Sequence, residues 1–105
     1  MVQQITPREL QARLATADAP AVLDVREHWE QDIAHLPGTL DIPMNEVAAR
    51  LAELPRDRDI VVMCRSGGRS AKIAEYLDQQ GYRVANLAGG ILAWVQDVDS
   101  SLKRY

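Results

Sequence analysis

Residues 59–81 read DIVVMCRSGGRSAKIAEYLDQQG and divide into a strand, a loop and a helix. The run 59–63 is rich in β-branched residues, which favour strands, and it ends at Cys64. Between residues 70 and 80 the apolar side chains recur three and four positions apart, as on one face of a helix, and Gly81 is a typical terminator. This order places the cysteine at the carboxyl end of a buried strand.

The same alternation of strand and helix signals continues on both sides of this segment. Thr6, Pro7 and Glu9 form the capping box and first turn of a helix, and Asn45 caps another that Pro55 ends. Further strands are predicted at 21–25, 39–42 and 83–87, and further helices at 28–34 and from 91, after a Gly89-Gly90 turn. We therefore predict an α/β fold with a mostly parallel sheet of about five strands and helices on both faces.

The composition is that of one globular domain, which we expect to span 1–105 with a core at 3–96 and a polar tail at 97–105. Of the 105 residues, 47% are apolar and 26% charged. A net charge of -3 and 5% aromatic residues argue against a nucleic-acid partner. The start MVQQITPREL lacks a secretory signal and no stretch could span a membrane, so we expect a cytoplasmic protein with no membrane partner. A single cysteine excludes an internal disulfide and a CxxC pair.

The loop after the strand has the composition of an anion site. Two glycines allow the backbone to curl so that successive N–H groups point at one spot, and the following helix adds the positive end of its dipole. Two arginines add formal charge. A cysteine in such surroundings has its pKa lowered from about 8.5 into the range of about 3.5 to 7.5. A buried structural cysteine is the common alternative, but it needs no such loop, so we predict a nucleophile. The predicted site comprises Cys64 and the loop residues Arg65, Ser66, Gly67, Gly68, Arg69 and Ser70.

Four segments resemble motifs of the single-domain rhodanese-like sulfurtransferases, in the same order and spacing over nearly the whole chain. LDVRE at 23–27 resembles the DVRE motif, HLPGT at 35–39 the HIPGA motif, CRSGGRS at 64–70 the active loop, and LAGG at 87–90 with Ala93-Trp94 the LxGGxxxW motif. The resemblance implies a cysteine that takes sulfane sulfur from a donor such as thiosulfate, becomes a persulfide, and passes the sulfur to a thiophilic acceptor.

The loop chemistry is compatible with that cycle, because the cradle can hold both an anionic donor and a persulfide anion. No second cysteine is present to resolve the persulfide, so we expect an external acceptor: cyanide, a thiol or a sulfur-relay protein. Thiosulfate enzymes of the family commonly carry Cys-Arg-Lys-Gly-Val-Thr. The different residues Ser66, Gly68 and Arg69 leave open whether the donor is thiosulfate or a persulfide.

Two other functions remain as alternatives. Cysteine phosphatases and arsenate reductases on the same fold place five residues between cysteine and arginine, usually with histidine before the cysteine. Here four residues separate Cys64 from Arg69, and Met63 comes before the cysteine. Some rhodanese-like domains are non-catalytic interaction modules that have lost the cysteine, which is present here.

The remaining candidate residues receive supporting roles. Asp24 and Arg26, at a strand end, are expected to stabilise loops by charge-assisted hydrogen bonds rather than to contact substrate. His35 is expected to form hydrogen bonds within a loop, since the two histidines lack the spacing of a metal pair. Trp94 is either a wall of the active cleft or a core residue. No metal and no cofactor is predicted.

Overall fold

The computed structural model describes residues 2–105, which form five short strands and four α-helices. The elements are β1 (Gln3–Ile5), α1 (Pro7–Leu14), β2 (Ala21–Asp24), α2 (His28–Ile33), β3 (Leu40–Asp41), two 3₁₀ segments (Met44–Glu46 and Ala48–Glu53), β4 (Ile60–Met63), α3 (Gly68–Gln79), β5 (Val84–Leu87) and α4 (Gly90–Asp97). Within residues 2–105 none of the helices has the length and apolar character needed to cross a bilayer.

The five strands form one sheet in the order β1-β5-β4-β2-β3, and every neighbouring pair is parallel. The central strand β4 pairs Val62 with Leu23 on one side and with Asn86 on the other. Cys64 therefore emerges at the carboxyl edge in the middle of the sheet, where ligands bind in open α/β folds. The predicted α/β fold with a parallel sheet is confirmed.

Two hydrophobic cores lie on opposite faces of the sheet, because alternate side chains of each strand point in opposite directions. The first core receives Ile60, Val62 and Cys64 from the central strand and its end, together with the buried face of α3: Ile73, Ala74 and Leu77. The second core receives Val61 and Met63 from the same strand, together with apolar residues of α1 and α4: Leu10, Ile91, Trp94 and Val95. Helices thus cover both faces, as predicted.

The start of α1 is the predicted capping box. The Thr6 hydroxyl accepts a hydrogen bond from the Glu9 amide at 3.2 Å, and the Glu9 carboxylate accepts one from the Thr6 amide at 2.9 Å. Pro7 occupies the first turn, where no amide proton is needed. The strand before it, β1, was not predicted, because its two glutamines are exposed and show no strand pattern.

The helix predicted from Asn45 is instead two 3₁₀ segments. Asn45 lies inside the first of them and caps neither, and Arg50 breaks the second with φ of -120°. Single turns closed by i to i+3 hydrogen bonds cover the region, and its tertiary role is to bury Val47 and Leu54 against the first core. Because so short a helix gains little from its own hydrogen bonds, this packing decides its form.

The segment after α4 differs from the predicted polar tail. Asp97 is exposed, but Leu102 and Tyr105 fold back and pack against the second core. The Tyr105 hydroxyl also accepts a hydrogen bond from Arg26 at 2.8 Å and donates one to Glu30 at 3.0 Å. With Val98, three apolar side chains attach this polar segment to the domain, because burying them removes apolar surface from water.

Candidate active site

Cys64 stands at the end of β4 with its sulfur surrounded by hydrogen-bond donors of the following loop. Sγ accepts hydrogen bonds from the Gly67 amide at 3.1 Å, the Ser70 amide at 3.4 Å and the Ser70 hydroxyl at 3.3 Å. The residue is only 1% exposed. The sulfur thus lies at the edge of the first core, with three hydrogen-bond donors of the loop directed at it.

These donors favour the thiolate over the thiol. Burial is the largest single influence and raises the pKa of Cys64, but the Ser70 hydroxyl and the amides of Ser70, Gly67 and Ser66 together outweigh it. The net result is a pKa below the ordinary cysteine value. Helix α3 begins at Gly68 and directs the positive end of its dipole at the same place. These groups together favour a negative charge on the sulfur at a pH where an ordinary cysteine is still protonated.

The Gly89-Gly90 turn holds the loop in this shape. The amides of Ile91 and Leu92 donate to the carbonyls of Cys64 and Arg65 at 2.9 and 3.1 Å. Gly90 has φ of +60°, and a Cβ there would lie 2.4 Å from the Arg65 carbonyl oxygen. The start of α4 therefore binds the carbonyl groups of the loop, which leaves its amide groups free to face the sulfur.

The two loop arginines are both engaged by neighbouring groups. The Arg69 guanidinium donates to both carboxylate oxygens of Glu30, each at 2.7 Å. Arg65 donates two hydrogen bonds to the main-chain carbonyl of Tyr105, one of them at 2.7 Å. Its guanidinium carbon lies 5.1 Å from the centre of the Tyr105 ring. Both arginines belong to the loop that forms the cradle, whereas the hydrogen bonds to the sulfur come from Gly67 and Ser70.

A buried charged network supports this side of the site. Arg26 is fully buried, and its guanidinium binds both Asp24 oxygens, with Nη2 at 2.8 Å from Oδ2. It also donates to the carbonyls of Glu30 and Ala34 and to the Tyr105 hydroxyl. These contacts attach α2 and the C-terminal segment to one guanidinium, and the supporting role of Asp24 and Arg26 stays a prediction.

His35 and Trp94 are not among the described residues that form hydrogen bonds with the Cys64 sulfur. His35 Nε2 is 2.9 Å from Thr39 Oγ1 and 3.1 Å from Asp41 Oδ1, which is a loop hydrogen-bonding role. Oxygen and nitrogen atoms of Asp24, His35 and Asp41 come within 4.8 Å of one another, a spacing that could hold a metal ion, but both Asp24 oxygens already bind Arg26. Trp94 is packed in the second core, on the face of the sheet opposite to Cys64.

Asn86, which was not among the predicted site residues, binds the loop after Cys64 from β5. Its Oδ1 accepts from the Ser70 hydroxyl at 2.6 Å, and its Nδ2 donates to the Gly67 carbonyl at 3.3 Å and to Gln4 at 3.1 Å. A hydroxyl carries one proton, so Asn86 and the sulfur compete for it. The available signal was a polar residue within a predicted buried strand.

Glu30 was also missed, and so was Tyr105. Glu30 belongs to α2, and only 3% of its side chain is exposed. Its partner Arg69 lies 39 residues later in the sequence. Hydrogen bonds from Arg69 are the largest influence on its pKa and lower it to about 2. No spacing rule relates these residues in sequence, since only the fold brings α2 beside the loop.

The family model described as "Rhodanese-like domain" matches residues 6–97. The chain belongs to the rhodanese-like family. Among its relatives is a protein named sulfurtransferase from Allochromatium vinosum, 43% identical over 97 residues that cover 91% of each chain. This rhodanese-like chain also superposes on a rhodanese-like domain protein from Staphylococcus aureus, with a TM-score of 0.86, 30% identity and 99% of each chain covered.

A larger solved structure contains a similar domain. An NAD-dependent persulfide reductase from A. fulgidus matches with a TM-score of 0.69 and 30% identity, over 89% of this chain and 16% of that one. The rhodanese-like fold in that protein is thus one part of a longer polypeptide.

Proposed function

We propose that this rhodanese-like chain is a sulfurtransferase that carries sulfane sulfur on Cys64 as a persulfide. The observation that carries the proposal is the Cys64 sulfur held by the donors of Gly67 and Ser70, with its pKa lowered. Its relative in Allochromatium vinosum is named a sulfurtransferase, which supports the same reaction class here.

The transfer has two steps that conserve atoms and charge. The Cys64 thiolate attacks the outer sulfur of thiosulfate, the S–S bond of the donor breaks, and sulfite leaves with the bonding electrons. An organic persulfide reacts in the same way and releases its thiolate. The Cys64 persulfide anion then remains in the cradle, where the amides that stabilised the thiolate stabilise the terminal sulfur.

The second step delivers the sulfur to an outside nucleophile. Cys64 is the only cysteine of the sequence, so cyanide, a thiol or a sulfur-relay protein attacks the outer sulfur and restores the thiolate. The persulfide reductase from A. fulgidus, which contains a similar domain, supports a persulfide as the donor class. A lone thiol without a disulfide suits a reducing compartment, and we propose the cytoplasm.

A steady-state assay tests the reaction class. The protein given thiosulfate and cyanide should produce thiocyanate, and the Cys64→Ser variant should produce none while keeping the circular dichroism spectrum and melting temperature of the parent. Absence of thiocyanate with thiosulfate and with persulfide donors would reject the proposal.

A phosphatase activity is disfavoured by the position of Arg69. Glu30 binds Nη1 and Nη2 of its guanidinium, so this edge is not free to bind a phosphoryl group. An aryl phosphate should therefore be hydrolysed no faster by the parent than by Cys64→Ser. Faster, Cys64-dependent hydrolysis would favour the phosphatase reaction.

A further inference from the structure

Glu30 places a negative charge beside an anion site. Its carboxylate is 3% exposed, while the Arg69 side chain that it binds is 37% exposed on the loop that follows Cys64. The carboxylate also accepts hydrogen bonds from the Glu27 amide at 2.9 Å and from the Tyr105 hydroxyl at 3.0 Å. These four contacts hold the carboxylate rigidly against the guanidinium.

The Glu30–Arg69 pair lies beside the cradle, because Arg69 immediately precedes Ser70, whose amide is 3.4 Å from the Cys64 sulfur. The pKa of Arg69 is raised, chiefly by the hydrogen bonds to Glu30, with a further contribution from Coulomb attraction to Cys64. The formal charges of the pair cancel, so the positive potential over the cradle comes from backbone amides, the α3 dipole and Arg65. A site with both arginines uncompensated would carry one more positive charge.

A missing positive charge has unequal effects on the two donor classes. Coulomb energy is proportional to the charge of the ligand. Loss of one positive charge therefore costs a bound dianion twice as much binding free energy as a monoanion at the same place. Thiosulfate is a dianion and a simple organic persulfide is a monoanion. The pair therefore changes the ratio of their rates.

We propose that Glu30 is a specificity-determining residue: by neutralising Arg69 it disfavours dianionic donors such as thiosulfate relative to singly charged persulfides. This inference rests on the proposed sulfurtransferase function and refines its donor. Within residues 2–105 the Glu30 carboxylate forms hydrogen bonds with Arg69, Glu27 and Tyr105 and with neither Cys64 nor the donors of the cradle, so it acts through the charge and position of Arg69.

The test compares second-order rate constants for loading Cys64 from thiosulfate and from the persulfide of 2-mercaptoethanol, a monoanion. In Glu30→Gln we expect the rate constant to increase about threefold for the persulfide and about tenfold for thiosulfate. The logarithm of the second change is about twice that of the first, because thiosulfate carries twice the charge. Added salt should reduce the thiosulfate gain more than the persulfide gain.

A charge-balanced series supplies the controls. Arg69→Gln leaves Glu30 unpaired and should shift the ratio toward the persulfide, whereas the double variant Glu30→Gln with Arg69→Gln restores a neutral pair and should return the parent ratio. Tyr105→Phe removes one hydrogen bond from the same carboxylate and one acceptor from Arg26, but it changes no charge, so it should leave the ratio of the two rate constants unchanged.

The outcomes separate the inference from the proposed function. If the parent loads sulfur but Glu30→Gln keeps the parent donor ratio, the inference is wrong and the sulfurtransferase function stands. An equal ratio shift in Tyr105→Phe would also overturn it, because charge would not be the cause. If Glu30→Gln does not fold, Arg69→Gln alone gives the comparison, since it changes the charge of the pair in the opposite direction and should shift the ratio toward the persulfide; an unchanged ratio would overturn the inference. A parent that takes sulfur from neither donor would reject the proposed function itself.

Discussion

Replacement of Gly90 by alanine should damage the active loop from outside it. The new Cβ would lie 2.4 Å from the Arg65 carbonyl oxygen, 2.5 Å from its carbon and 2.6 Å from the Cys64 carbonyl oxygen. All three atoms are backbone, so relief requires the loop to move. That movement would disturb the two hydrogen bonds by which Ile91 and Leu92 hold the loop carbonyls.

The expected magnitude has two parts. An alanine at φ of +60° costs about 1–2 kcal/mol for its backbone conformation, and overpacking adds about 1–3 kcal/mol. Gly38 provides a matched control, since it has φ of +76° but no atom lies within 4 Å of the position that a Cβ would take there. Gly38→Ala should therefore lose only the first part. Each kcal/mol corresponds to a fall of about 4–8 °C in melting temperature.

Two measurements on the same pair of variants separate stability from loop geometry. Thermal unfolding should show a lower melting temperature for Gly90→Ala than for Gly38→Ala. Alkylation of Cys64 against pH should have its midpoint raised in Gly90→Ala and unchanged in Gly38→Ala, because only the former displaces the amides that stabilise the thiolate. Equal melting temperatures and equal alkylation profiles for the two variants would refute the role assigned to the Gly90 contact.

Two further predictions concern single side chains. Ser70→Ala removes the hydroxyl but keeps the amide that faces the sulfur, so alkylation of Cys64 at neutral pH should slow by about tenfold. The control Ser66→Ala keeps its amide and alters an exposed side chain, so its alkylation rate should match that of the parent. Equal slowing in both variants would contradict the role of the hydroxyl. Glu30 has its pKa lowered from 4.5 to about 2, so it contributes stability above about pH 4.5 that is lost as the pH falls toward 2. The free energies of unfolding of the parent and of Glu30→Gln, measured in urea, should therefore approach each other by about 2–3 kcal/mol as the pH falls through this range. A difference that stays constant across that range would contradict the pairing.

The sequence was sufficient to predict the parts of the fold with strong local patterns. The β-branched run of β4, the capping box of α1 and the glycine-containing loop after Cys64 are local signals, and each lies in the structure where the pattern indicated. The helix from Asn45 was wrong because its apolar spacing fits equally well a pair of 3₁₀ turns once packing is included.

The site partners were harder to predict because they come from distant elements. Glu30, Asn86 and Tyr105 lie 39, 16 and 40 residues from the loop residues that they bind. A sequence pattern identifies a charged loop, but only the packed structure shows that an acid neutralises one of its arginines. The potential of the cradle therefore depends on contacts that no local motif contains.

The most direct test of the proposed function is the mass of the intact protein after a brief reaction with a sulfane sulfur donor and removal of the excess. The account predicts a gain of one sulfur atom on Cys64, loss of that atom when cyanide is added, and no gain in Cys64→Ser. An unchanged mass with both thiosulfate and a low-molecular-weight persulfide would contradict it, as would sulfur retained elsewhere in the Cys64→Ser variant.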